Sequence, residues 1–245
     1  MPSLVWGRHP QEAYDNPYEY AVQDQFVREA STLLSTLYAK LDKFTMTFHR
    51  DEESLEKATW MLVLDLVDAL SEITKLLVDG RHRVAFRLFR DVVETIDLLS
   101  VLHAGNSMAR RALRQWYKDE TISHGESRKY IEEIHGPAPA EARRDYYKQL
   151  SKFTHRTYLA LAKSYSLGQG DMLVPDSHRP TMLVPPHTIA SGFAVLAGLI
   201  KQSTNCMSRV GPLSCDDLAE AFGIAWESDT VPRRFAPRRP LSSYD

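Results

Sequence analysis

Cysteine is nearly missing from this sequence: Cys206 and Cys215 are the only two among 245 residues. A disulfide scaffold is thereby excluded, and two thiols without nearby histidines cannot complete a zinc tetrahedron, so no metal is expected. Long apolar runs are missing as well. The longest uncharged apolar stretch, residues 189–200, is roughly twelve residues, well short of the ~20 that a membrane span needs. The first ten residues lack the basic and then apolar pattern of a secretory signal. The expectation is a cytoplasmic protein that makes no membrane contact. Neither sign of charge dominates, with 30 Lys+Arg against 32 Asp+Glu, a net charge of −2 and a pI near 6.5. This balance removes the bulk electrostatic case for a DNA coat or a polybasic membrane anchor, so any nucleic-acid site must be local. A Gly-rich phosphate loop, a Gly-x-Ser-x-Gly elbow, a His-Glu-x-x-His pair and a Cys-x-x-Cys pair are all lacking, and no cofactor is implied.

What is present is helical periodicity. Residues 1–16 read as an irregular arm, and Asn16-Pro17 opens a first helix over residues 18–48, carrying Val22, Phe26, Ala30, Leu33, Leu34, Leu37 and Leu41. A second helix over residues 52–78 carries Val63, Leu66, Val67, Leu70, Ile73 and Leu77, and Asp79-Gly80 makes the turn. A third covers residues 81–104 with Phe86, Phe89, Val93 and Ile96 on its apolar face. Weaker helical patterns span residues 107–120 and 126–134, and after the breaker run 136–139 a longer helix is expected over residues 140–166. Residues 168–186, with two Gly and four Pro, read as a long connection or lid. Residues 187–209 read as a nearly uncharged core helix in which Ala190, Ala194 and Gly198 allow close backbone approach. A short amphipathic piece over residues 215–226 precedes a basic, proline-rich tail. No strand alternation is evident. The sequence therefore predicts an all-α bundle of about six or seven helices: one domain over residues 17–227, and a flexible tail over 228–245. The hairpin 52–104 and the helix 187–209 are expected to supply most of its core.

The most informative polar feature lies on the third helix. Arg83, Arg87, Arg90 and Glu94 follow at steps of four, three and four, which places three guanidinia and a carboxylate on one stripe. Such a stripe can grip phosphate. It can equally be consumed by the second helix, whose Asp65, Asp68 and Glu72 would meet it across the antiparallel turn, Glu72 level with Arg87 and Asp68 with Arg90. On the later helix Tyr147, Ser151, His155 and Tyr158 spread from the apolar face to its polar border. His155 at that border could act as acid, base or ligand, or be satisfied by a neighbouring carboxylate. Arg110, Arg111 and Arg114 beside Trp116 and Tyr117 suit either single-stranded nucleic acid or a solvated face with an anchoring Trp.

Two runs also carry a resemblance. Ala85-Phe86-Arg87-Leu88-Phe89-Arg90-Asp91-Val92-Val93-Glu94, followed by Tyr147-Lys148-Gln149-Leu150-Ser151-Lys152-Phe153-Thr154-His155, resembles uncharacterised bacterial α-helical families. Those are similar in turn to the HEPN superfamily of helical nucleotidyltransferase partners, toxins and RNA-cleaving enzymes. The resemblance spans about residues 60–165 and rests on short motifs. It implies that Arg90, Glu94 and His155 share one polar pocket as catalytic groups; the helix faces themselves offer Arg83, Arg87, Tyr147 and Ser151 as binding residues around them. It also brings a departure: the Arg-x(4–6)-His spacing of HEPN ribonucleases occurs here only as Arg128 to His135. Three functions stay open on this reading. The first is a module binding a protein partner or RNA or nucleotide phosphate, and the second a metal-independent endoribonuclease of a bacterial defence or toxin system. The third is a structural homo-oligomer.

Overall fold

The computed structural model describes residues 17–43, 46–79, 81–155, 158, 165–167, 173–175, 195–196, 198–200 and 202–203. The fold is all-α. Among the described residues six helices follow one another: α1 (Pro17–Lys43), α2 (Leu55–Val78), α3 (His82–Leu102), α4 (Ser107–Tyr117), α5 (His124–His135) and α6 (Pro137–Thr154). A seventh helical segment contributes the described residues within 195–203. The expected arm, the helix 215–226, the tail, Ala190, Ala194 and most of residues 168–186 lie outside the described residues.

The core gathers where the 3.6-residue stripes of α1, α2 and α3 meet. Leu33 and Leu37 of α1, Leu66, Leu70, Ile73 and Leu77 of α2, and Phe89 and Leu99 of α3 are all essentially inaccessible to solvent. Leu196, Leu199 and Ile200 of the seventh segment join the same cluster. α1 thus shares the core with the hairpin that was expected to dominate it. Burial of each such side chain is worth about 1.5–3 kcal/mol before the entropy of ordering the chain is counted against it.

α1 ends sooner than expected: residues 46–49 are not helical, because the apolar period stops at Leu41. Phe48 instead folds back against the core. The connection is tied down by Lys57, whose ammonium donates to the carbonyls of His49 (3.1 Å), Arg50 (2.7 Å) and Glu52 (2.9 Å). Ser54 caps α2, its hydroxyl accepting from the Lys57 amide at 3.2 Å, and Tyr117 of α4 donates to the Ser54 carbonyl at 2.8 Å. At the far side of the hairpin, the Thr59 hydroxyl donates to Leu55 O (2.7 Å) and lies 2.9 Å from Nε2 of His103. With its own proton spent on Leu55, Thr59 can only accept, so His103 carries a proton on Nε2. This contact joins the start of α2 to the end of α3 and marks the pair as antiparallel.

The connection after α3 passes through Gly105 at φ +70°, and α5 passes to α6 through Gly136 at φ +85°, where an L side chain would be strained. The run 136–139, expected to be a break, is a joint of one residue. Pro137 starts α6 directly, since a proline in the first helical turn forfeits no intrahelical hydrogen bond. The far end of α6 also differs from expectation. The helix stops at Thr154, whose hydroxyl turns back to the Ser151 carbonyl at 2.8 Å, and His155 is extended at ψ 151°. Residues Tyr165–Leu167 then pair antiparallel with Leu173–Pro175, Tyr165 opposite Pro175. Strands of three residues are too short to display alternation, which is why none was evident. A Cβ at Gly198 would meet no described atom within 4 Å, so close backbone approach is not what that glycine serves among the described residues.

Candidate functional site

α6 packs against both α3 and α5, and its contact with α3 is polar along one line. Asp97 Oδ1 accepts from Arg143 Nη2 at 2.6 Å and from Nε at 2.9 Å. About one turn further along α6, the Tyr147 hydroxyl donates to Glu94 Oε1 at 2.8 Å. The same oxygen accepts from Arg90 Nε at 2.8 Å. Arg90 Nη1 then reaches the Thr154 hydroxyl at 3.2 Å, and the guanidinium lies over the Tyr147 ring, 4.9 Å from its centre. As numbers rise along α3 they fall along α6, so this is an antiparallel ladder of three rungs.

A polar ladder therefore runs between α3 and α6, and it takes Arg90 away from the α2 partner that the sequence suggested. Asp68 of α2 accepts from the Tyr38 hydroxyl, Glu72 pairs with Lys75 of its own helix at 3.9 Å, and Arg90 is engaged by Glu94 and Thr154 rather than by Asp68. The reason is rotational: Arg90 and Glu94 lie on the side of α3 that α6 covers.

Beside the rung formed by Arg90, Glu94 and Tyr147 opens a cavity of about 540 Å³. Its wall is made by α3 (Asp91, Thr95 and Leu98 with Arg90 and Glu94), by Trp116 at the end of α4, and by Glu120, Thr121, Ile122 and Ser123 of the α4–α5 connection. Tyr147 closes it from α6. The connection is shaped by Asp119, which adopts φ +59°, and by Glu120 N, which donates to Gln115 O at 3.0 Å. Trp116 stands edge-on to Tyr117 at 5.0 Å.

The electrostatics of the cavity are acidic. Three described carboxylates line it, Asp91, Glu94 and Glu120, against the single guanidinium of Arg90. Burial pushes the Asp91 carboxyl above its ordinary range, and the negative charge of Glu94 adds to the shift, with Arg90 opposing and Asp65 of α2 contributing. Tyr147 is pushed up by burial and then by its bond to Glu94. For Arg90 burial acts downward, yet the hydrogen bond and charge of Glu94 outweigh it and the guanidinium is held more firmly protonated. Among the described residues, no group of three or more His, Cys, Asp and Glu side chains is placed to hold a metal ion.

Of the residues singled out from the sequence, Arg90, Glu94 and Tyr147 are brought into one cluster. Ser151 lies one turn beyond Tyr147 and lends its carbonyl to Thr154. His155 follows Thr154, is exposed, and is not among the described residues lining the cavity. Arg87 is half-buried on α3, and the side chain of Arg83 lies outside the described residues. Within the basic patch of α4, Arg111 is paired with Glu126 at 2.5 Å, and Trp116 serves as an anchor and cavity wall. The rung of Asp97 and Arg143 was missed. Its signal was present, since Asp97 extends the 83–87–90–94 stripe by three residues and Arg143 precedes Tyr147 by four.

Comparison with protein-family models, with curated proteins and with solved structures finds no significant match for the chain. Among the described residues no helix is long and apolar enough to cross a membrane.

Proposed function

We propose that the chain is a binding module whose cavity beside Arg90 and Glu94 receives a basic side chain of a protein partner. The observation that supports this is the charge of the wall: the only described cation is already answered by Glu94, while Asp91 and Glu120 add negative charge beside it. A phosphate entering here would meet three carboxylates, whereas a lysine or arginine would find them together with the aromatic faces of Trp116 and Tyr147. Of the binding readings open from the sequence, the protein partner fits this wall better than RNA or nucleotide phosphate.

The test is a titration followed through the amide signals of Thr121, Ile122 and Ser123, with a short oligoarginine peptide, ATP and oligouridylate as separate probes. The peptide is expected to shift them and the two anions to leave them in place. Combining Asp91→Asn with Glu120→Gln should weaken the peptide about fivefold, at roughly 0.5 kcal/mol per exposed charge pair. Shifts produced by ATP or oligouridylate instead of the peptide would overturn the reading.

One observation favours a second reading, the metal-independent endoribonuclease. His155 directly follows Thr154, the residue bonded to Arg90, so the groups named by the HEPN-like resemblance are neighbours in the chain path. Incubation with total RNA, comparing the unchanged protein with His155→Ala and Arg90→Ala, decides it. Cleavage lost in both variants supports the enzyme, and absent or unaltered cleavage removes it.

A further inference from the structure

The charge balance of the whole chain is a sum over unlike parts. Residues 233–239, Arg-Arg-Phe-Ala-Pro-Arg-Arg, carry four arginines, and residues 230–240 contain no acidic residue. The rest of the chain is correspondingly more acidic than −2, and part of that excess is concentrated at one place. Asp91, Glu94 and Glu120 line the cavity, and Asp65 of α2 is close enough to Asp91 to act on it electrostatically. Asp65, Asp91 and Glu120 are exposed as residues, although the carboxyls of Asp65 and Asp91 are partly desolvated by their neighbours.

The last described segment is bonded to the rung next to the cavity. Gln202, near the end of the last described segment, accepts from Arg143 Nη1 at 3.0 Å, and Arg143 is bonded to Asp97, one turn along α3 from Glu94. From there about 30 residues precede the first tail arginine, a contour on the order of 100 Å if fully extended, so chain length does not prevent return. The chemistry of the segment suits the wall. It pairs four guanidinia, which can meet carboxylates bidentately, with one aromatic ring. Phe235, between the two Arg pairs, is matched by the apolar part of the wall made by Leu98, Trp116 and Ile122.

We propose that the occupant of this cavity is the chain's own segment 233–239, which docks on the acidic wall and competes there with any basic partner. The inference rests on the reading of the cavity as a receptor for basic groups.

It is tested on the full chain by following trypsin cleavage of the Arg234–Phe235 bond by mass spectrometry. Docking should slow that cleavage about tenfold at low salt relative to a chain carrying Asp65→Asn, Asp91→Asn and Glu120→Gln, given an effective concentration near a millimolar for a tethered segment. The protection should vanish toward about 0.5 M salt as the charges are screened, and should not depend on protein concentration. These three substitutions are on exposed positions, and helix content by circular dichroism checks that the variant folds. Equal cleavage rates, or protection that grows with protein concentration, overturn the proposal.

A second arm separates the two claims. A free peptide of residues 230–240 is added to the chain in which Arg233, Arg234, Arg238 and Arg239 are replaced by Ser. If the peptide moves the Thr121, Ile122 and Ser123 signals while tail protection is absent, the cavity reading stands and only the tail docking falls. If it moves nothing, both fall.

Discussion

The two ends of the α3–α6 ladder are built from the same chemistry and placed in opposite surroundings. At one end Asp97 and Arg143 are withdrawn from water, their side chains 4% and 13% exposed. At the other Arg90 and Glu94 are 29% and 42% exposed and border a cavity. An ion pair cut off from solvent must be complete, because each partner left alone would be a buried charge. A pair that faces water can lose a partner and be hydrated instead. The closed rung is therefore suited to holding α6 on α3, and the open rung to exchanging partners, which is why the candidate site lies at one end only.

The comparison can be broken most forcefully at the closed end. Arg143→Ala should cost about 3–5 kcal/mol, because it leaves Asp97 uncompensated, and denaturant unfolding would register it as a lower midpoint. Changing both residues to apolar ones of similar size should recover much of that loss. If Arg143→Ala proved no worse than an exposed substitution, the distinction between the rungs would be lost.

Alkaline pH probes the same end differently. Tyr146, partly buried beside Arg143, is pushed up to about 12, chiefly by burial. Its folded value is above its unfolded one, so the stability it contributes is complete below about pH 10 and is lost as the pH rises toward 12. Tyr38, also raised to about 12 by burial and then by its bond to Asp68, acts in the same window. Denaturant midpoints recorded across that range should fall, and Tyr146→Phe should flatten the fall.

Smaller effects are expected at the open end. Tyr147→Phe removes one hydrogen bond to Glu94 and should cost about 0.5–1.5 kcal/mol. A double-mutant cycle on Arg90 and Glu94 should return a coupling below about 1 kcal/mol, and a coupling as large as that of the closed rung would erase the contrast. Smallest of all, Asp91→Asn should leave stability within about 0.5 kcal/mol of the original. Its carboxyl is held above its ordinary range by burial and by Glu94, so removing its charge should, if anything, stabilise the fold at neutral pH.

The helical architecture was legible because its signal repeats. Leu66, Leu70, Ile73 and Leu77 recur along α2, and every recurrence restates the same buried face. The constituents of the open rung were legible too, since Arg90, Glu94 and Tyr147 stood out by type and spacing. Their partners were not. A helical stripe specifies a direction around its own axis but not which neighbour occupies that direction, so Arg90 could be assigned to α2 when it belongs to α6. The cavity was further out of reach, because it depends on Trp116 and residues 120–123 of a connection with no period. The hairpin of Tyr165–Leu167 and Leu173–Pro175 was hidden by its brevity.

The joint at Gly136 has a consequence for how change is transmitted. Arg143, Tyr147 and Thr154 belong to one stiff rod that begins one residue after that joint, at Pro137. A single residue deleted or inserted within α6 before Arg143 would swing all three by about 100° around the helix axis. The closed rung and the open one would then be lost together. The ladder is indexed like the teeth of a single key, so evolution or engineering can reshape the open end by substitution, while length changes in that first stretch of α6 would have to be answered along the whole of α3.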